Sequence, residues 1–439
     1  MTSGLQAMRH GRFKNSLAAS GGLFNTNAVR PRILCALFIS GGLLAATTPE
    51  PRIEVCPVPS DPISLHLIRP NAEDSIRAGT WYQKAKTQAE WQGLLQNSDP
   101  EVKACAEFLL QNLPVADLGS IKPKFLQENI QLDLQARHAQ PWATNVPWEV
   151  FLNDVLPYAC LDEDREDWRS DFTNRFGNLV KNASSLEQAA KIINQAIEKN
   201  VGVKYSTRRR AANQSPHDSM RQGVASCSGL SILLCDALRS VGIPARIAGV
   251  PTWATINGNH NWVEVWLGPT NDTNDPWHIT EYNPDAKGWD HAWFMDRVAN
   301  ANPMRPETWI YASSWQRTNL AFPLVWDLNS RQVYGINRTS AYLKLVGGHR
   351  QTIPEDQCLI SVRTYDKNHR VTASVNLAQE SNPTLATPLQ TKGEEKDLND
   401  VAQFTVPAKA GQVTLQWGDL KKTVTPEGGK EIVIELQRP

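Results

Sequence analysis

The chain has no excess of charge of either sign. Over 439 residues, 45 lysines and arginines balance 45 aspartates and glutamates. No global field therefore draws it to nucleic acid or to an anionic membrane, and a charge-driven partner would need a local patch. It has no CxxC and no His/Cys cluster at zinc-ligand spacing, so no metal site and no cofactor are expected. It shows no internal repeat. Long apolar runs are scarce as well. The longest without charge, Ile33 to Ala46, has 14 residues, whereas a membrane span needs about 20.

That short run has a different meaning. Arg30 and Arg32 precede it, and the small residues Ala45 and Ala46 close it. A basic flank, a short apolar centre and a small exit read as a secretory signal over residues 1–46. The expectation is a secreted or periplasmic protein with no stable membrane insertion after cleavage. Cleavage would remove Cys35, one of seven cysteines. If Cys227 is a free nucleophile, Cys56, Cys105, Cys160, Cys235 and Cys358 remain. Five cannot all pair within one chain, so mostly unpaired thiols are expected.

What is present divides the chain into segments. Residues 47–170 open on Pro57, Pro59, Pro62 and Pro70, an irregular entry, and then become mainly helical. Val102, Ala106, Leu109 and Leu110 recur at helical spacing, and Asp99-Pro100 offers a helix start with proline at the first position. A clearer helix runs from Ser184, paired with Glu187 as a capping box, to about Lys199. Residues 171–305 change character and carry the candidate chemistry. Residues 306–355 read as a connection. Residues 356–439 give short alternating strands separated by turn residues, which predicts a small antiparallel β-sandwich of immunoglobulin-like type. Within it, Lys392 to Asp400 is a charged, polar connection.

The strongest feature is the stretch from Ser226 to Trp253. Leu230, Leu233, Leu234, Ala237 and Leu238 follow helical spacing, and Ile232 and Cys235 are apolar too. The helix is therefore buried nearly all round. Gly242 and Pro244 end it. Cys227 sits at its N-terminus, where unpaired N–H groups and the macrodipole favour a thiolate and could hold an oxyanion. The bland alternative for Cys227 is a small packed hydrophobe, the reading kept for mid-helix Cys235. A thiol enzyme needs a base, most often histidine. His260 opens an alternating strand, His260 to Leu267, after the turn Asn257-Gly258-Asn259; an exposed hairpin histidine is the alternative. A group to orient the imidazole is sought in the following strand, Trp277 to Asp285. His278 in that strand is a competing base.

These pieces resemble, in their order, the transglutaminase-like superfamily: Cys227 at a helix start, the exit Gly242-Ile243-Pro244-Ala245-Arg246, then His260 ahead of Trp262-Val263-Glu264-Val265. The resemblance covers about residues 171–293. It implies an α+β papain-like core with a Cys-His-Asp triad, flanked here by the helical N-terminal region and the sandwich. Cys227 and His260 match the nucleophile and the histidine. The third position departs from the pattern: Asn283-Pro284 stands where the family has Asp-Pro, with Glu281 and Asp285 as rivals. Among six tryptophans between residues 253 and 293, Trp253 and Trp262 are candidates to line a cleft that shields an acyl intermediate. Arg209, in the loop Arg208 to Arg210, is a candidate substrate contact favouring acidic peptides; the alternative is a solvated basic loop. The expected activity is thiol-dependent hydrolysis of a peptide or protein amide, or acyl transfer to an amine. The alternative is a non-catalytic interaction protein with a binding sandwich.

Overall fold

Proline and polar caps set the helix starts of the first part of the chain. Asp99 accepts from the backbone N–H of Glu101 and Val102, with Pro100 at the first helical position, so orphan amides at that end are satisfied. The computed structural model describes residues 68–268, 275–348, 353–379 and 382–439. The proposed signal segment, Cys35, Cys56 and Pro57 to Pro62 lie outside the described residues. The helices in order are α1 (Ala72–Ala85), α2 (Ala89–Leu95), α3 (Pro100–Gln111), α4 (Pro123–Ala139), the single turn α5 (Pro141–Thr144), α6 (Trp148–Asp154) and α7 (Trp168–Phe176). They do not enclose a core of their own. Leu109, Ile130, Phe151 and Phe172 share one apolar cluster with Ile193, Leu234 and Ile247, so this region and the central segment are one packed body.

The central segment begins with α8 (Leu186–Val201), capped by the Ser185 side chain. The short parallel pair β1 (Lys204–Tyr205) and β2 (Val224–Ala225) brackets α9 (Pro216–Gln222). Then comes α10 (Cys227–Arg239), in which every residue after Cys227 is buried. The sheet that α10 packs on has the order β5-β4-β3-β6-β8-β7, built from β3 (Ala245–Val250), β4 (His260–Trp266), β5 (Trp277–Thr280), β6 (Tyr311–Ser314), β7 (Leu320–Ala321) and β8 (Tyr334–Asn337). All its pairings are antiparallel. The segment expected as a connection, 306–355, thus supplies three strands of this sheet. Those strands are two to four residues long, too short for alternation to stand out from loop in the sequence.

The last part holds β9 (Gln357–Asp366), β10 (His369–Arg370), β11 (Ser374–Gln379), β12 (Asn382–Gln390), β13 (Ala402–Pro407), β14 (Val413–Trp417), β15 (Leu420–Val424) and β16 (Lys430–Arg438). They form two four-stranded sheets. Alternate residues of both, among them Ile360, Val375, Leu377, Phe404 and Leu415, meet in one buried cluster. The pairing is not wholly antiparallel, because β16 runs parallel to β9 over its whole length. Two observations tie this module to the central body. Arg297 of α11 (Met295–Val298) pairs with Glu431 of β16 at 3.0 Å, and Asn399 donates to the Asn259 carbonyl at 2.7 Å. Among the described residues no helix is long and apolar enough to cross a membrane.

Candidate active site

Local chemistry fixes the start of α10. Ser226 is the N-cap: its Oγ accepts from the Gly229 N–H at 3.1 Å and donates to the Ala212 carbonyl. Gly229 is needed there, since a Cβ would stand 2.9 Å from that of Ala225. Cys227 is the first helical residue and is part-exposed, whereas Cys235 is fully buried. Asn261 then locks β4 to α10. Its Nδ2 donates to Ser228 Oγ at 2.7 Å, and its carbonyl accepts from Ser231 Oγ at 3.2 Å. Asn261 can lie across β3 only because residue 249 is glycine: a Cβ there would stand 2.0 Å from Asn261 Oδ1. This clamp places His260, one residue earlier on β4, beside Cys227. Both side chains line a small cavity of about 100 Å³ together with Glu281 and Trp293.

His260 is only 2% exposed and is held from both ends. Nε2 lies 2.7 Å from Glu281 Oε1. Glu281 is itself positioned: Trp293 Nε1 donates to the same oxygen at 3.3 Å, and Asn194 on α8 donates to the Glu281 carbonyl at 2.8 Å. Nδ1 faces the cysteine side and lies 3.4 Å from Asp397 Oδ2. Cys227, His260 and Asp397 each offer a ligating atom within 4.8 Å of the others. Burial by itself would lower the His260 pKa. The nearby Asp397 carboxylate outweighs it, with Cys227 and the Glu281 hydrogen bond acting in the same sense, and holds the ring well above its ordinary value. Asp397 responds in the opposite sense. Burial would raise its pKa, but the imidazolium and the Asn399 backbone N–H keep it below the usual carboxylate value.

The sites named from sequence are distributed unevenly. Cys227, His260 and Glu281 come together. Asn283 does not reach the imidazole: it is exposed at the cavity rim, and Asp285 is exposed beyond it. The strand ends at Thr280, so alternation does not carry past Glu281. Trp253 and Trp262 line no wall of the cavity. They stack on one another in a separate apolar cluster with Phe294, and Trp262 donates to Tyr342 Oη at 2.7 Å. Their bulk fits the core behind the site. His278 is bound to Asp290 at 2.7 Å and is absent from the cavity. Arg209 lies in a second groove of about 600 Å³ that also reaches Cys227.

The residue that sequence reasoning missed is Asp397, in the connection Lys392 to Asp400. This strap crosses the cleft: Glu395, Lys396 and Asp397 face the small cavity, while Asp397, Leu398 and Asn399 face the larger groove. Arg370 fastens it, donating to the carbonyls of Lys396, Asp397 and Asp400. Tyr205 Oη accepts from the Leu398 N–H at 3.0 Å. A charged, polar stretch between strands was the sole sequence signal, and it reads equally well as a solvated loop. Ligand spacing likewise could not reveal that a thiol, an imidazole and a carboxylate meet here, because the carboxylate comes from another module.

A thiol at a buried helix start, facing an imidazole whose far nitrogen is held by a carboxylate, defines a cysteine-dependent enzyme class. Residues 174–294 match the family model described as the transglutaminase-like superfamily, so this segment is similar to that superfamily. No curated protein matches the chain. A crystal structure of a proposed cysteine protease from Cytophaga hutchinsonii is similar at 16% identity and a TM-score of 0.24, over 34% of this chain and 47% of that one. The match thus spans about half of that protein's length.

Proposed function

We propose that the protein is a thiol enzyme that opens peptide or protein amides through an acyl-enzyme on Cys227. The observation that carries this is the convergence of Cys227, His260 and Glu281 on one cavity at the start of α10. The Cys227 thiolate attacks the amide carbonyl carbon, and the carbonyl electrons move onto oxygen. Unpaired N–H groups at the helix start stabilise that oxyanion. The C–N bond breaks, His260 gives its proton to the departing amine, and a thioester remains. His260 then takes a proton from water, or from an acceptor amine, which attacks the thioester and frees Cys227. Glu281 holds the imidazole so that Nδ1 faces sulfur. Water as acceptor makes the protein an amidase or peptidase, the reading we favour; an amine makes it an acyltransferase. The groove that runs past Arg209 offers room for an extended acyl donor with acidic side chains. The segment 1–46 supports a secreted or periplasmic location, which N-terminal sequencing of the mature protein tests.

A second reading has its own support. The strap lies across Cys227, as it would in an interaction protein whose C-terminal module, read as an immunoglobulin-like sandwich, does the binding. One experiment separates the two. Peptide and amine mixtures are incubated with wild type and with Cys227→Ala, and products and alkylated cysteines are read by mass spectrometry. The enzyme reading expects products only from wild type, and iodoacetamide reacting at Cys227 far faster than at Cys235. Products unchanged by Cys227→Ala, or equal and slow alkylation of both thiols, defeat it.

A further inference from the structure

Three donors of different chemistry meet where the strap crosses the cleft: a thiol, an imidazole nitrogen and a carboxylate. The imidazole atom is the informative one. His260 Nδ1 is buried and has no hydrogen-bond partner, and an unpaired buried polar atom costs free energy. Asp397 Oδ2 is its nearest charged neighbour, at 3.4 Å. That is long for a charge-assisted hydrogen bond, which is roughly 2.7–2.9 Å. It is the separation of two ligands on one tetrahedral metal, since bonds of about 2.1 Å at the tetrahedral angle set N and O roughly 3.4 Å apart. A thiolate bound at about 2.3 Å would stand roughly 3.6 Å from each, inside the 4.8 Å within which all three ligating atoms lie. The other ring nitrogen completes the pattern. Nε2 is held by Glu281 at 2.7 Å, the carboxylate–histidine arrangement that fixes tautomer and direction in metal-binding imidazoles.

We propose that these three side chains bind a divalent cation of the zinc class, with the fourth position open toward the cavity. The mixed sulfur, nitrogen and oxygen set suits zinc rather than calcium or magnesium, which take oxygen ligands. Binding replaces the thiol proton, which leaves to solvent, with a sulfur–metal bond. The ion ties α10, β4 and the strap of the C-terminal module together and removes the nucleophile. Resting on the thiol-enzyme reading above, this makes the site an inhibitory latch: the metal-bound protein is latent, and removing the ion restores a free thiol.

The test uses the full chain, stripped with chelator and titrated with Zn²⁺ by calorimetry and with Co²⁺ by absorption. We expect one ion per chain, and a thiolate-to-cobalt charge-transfer band that is absent in Cys227→Ala. Asp397→Asn is expected to weaken binding by at least the roughly 10- to 100-fold that losing even an outer-shell partner costs, whereas Asp400→Asn, which alters the same strap without removing a ligand, leaves it within severalfold. Saturating Zn²⁺ should suppress iodoacetamide labelling of Cys227, and chelator should restore it. No charge-transfer band, a band retained in Cys227→Ala, or Zn²⁺ affinity equal in wild type and Asp397→Asn overturns the site. Labelling of metal-free Cys227 no faster than Cys235 defeats the thiol-enzyme reading. Fast labelling that Zn²⁺ does not slow defeats only the latch.

Discussion

Glu281 and Asn283 are two residues apart, yet only Glu281 reaches His260. The difference lies in where β5 stops. Thr280 is the last strand residue, and its Oγ1 donates to Asn194 Oδ1 at 2.6 Å, pinning the strand end to α8. Glu281 therefore leaves the strand pointing at the imidazole, and the chain turns before Asn283. In the proposed mechanism a charged acceptor on Nε2 stabilises the protonated ring, which a neutral amide does less well. Glu281→Gln is accordingly expected to lower kcat/KM by about 10²- to 10⁴-fold, and Asn283→Ala to stay within severalfold of wild type. Steady-state kinetics on a peptide amide identified by product mass spectrometry checks this, and the reverse ranking would return the orienting role to Asn283.

At the scale of elements, the candidate pair depends on how β4 docks on α10. Asn261 hydrogen-bonds both Ser228 and Ser231 across that contact, in space that Gly249 leaves open. Gly249 has no special backbone angle; it is glycine because a side chain would overlap Asn261. Gly249→Ala is expected to cost about 1–3 kcal/mol, as overpacking of a full core does, and to slow alkylation of Cys227 as well. Chemical denaturation and timed labelling together read the two effects. Lost stability with unchanged labelling would mean that the clamp packs the core without placing the thiol. The tryptophans belong to this scale too. Periodicity put Trp262 on the same face as His260, and the two rings are neighbours, 5.8 Å apart. The structure turns Trp262 into the wall behind the imidazole rather than a surface for substrate.

At the scale of the whole molecule, the C-terminal module is part of the candidate site, and its seat is a buried ion pair. The Glu431 side chain is buried and accepts from Arg297, Ser361 and Gln403. Burial alone would raise its pKa, but the Arg297 guanidinium and the other donors outweigh this and hold it below the usual value. With the folded value depressed, the pair's contribution is complete above the unfolded carboxylate's pKa, about 4.3. It is lost as pH falls through the folded value. Arg297→Ala leaves the carboxylate buried without its cation, which costs about 3–5 kcal/mol at neutral pH. In the variant burial dominates and the carboxyl protonates more readily. The stability gap between wild type and variant should therefore narrow as pH drops below about 4. Urea denaturation at neutral and acid pH measures it, and a gap independent of pH would exclude Glu431 as the cause.

Sequence determined what depends on near neighbours. Apolar spacing defined the buried helix from Cys227 to Arg239, the residue types at its start marked Cys227, and alternation after a turn marked His260. These are local signals, because a helix period, a cap and a strand parity each span only a few residues. Tertiary structure decided what depends on distant chain segments meeting. The partner of His260 is Glu281 because β5 ends one residue before it. Residues 311–337 join the sheet because short strands gain their pairing only from neighbours already in place. Asp397 reaches Cys227 because the C-terminal module docks on the core. That contact is set by the Arg297–Glu431 ion pair and the Asn399 hydrogen bond to the Asn259 carbonyl, and no spacing along the chain encodes it.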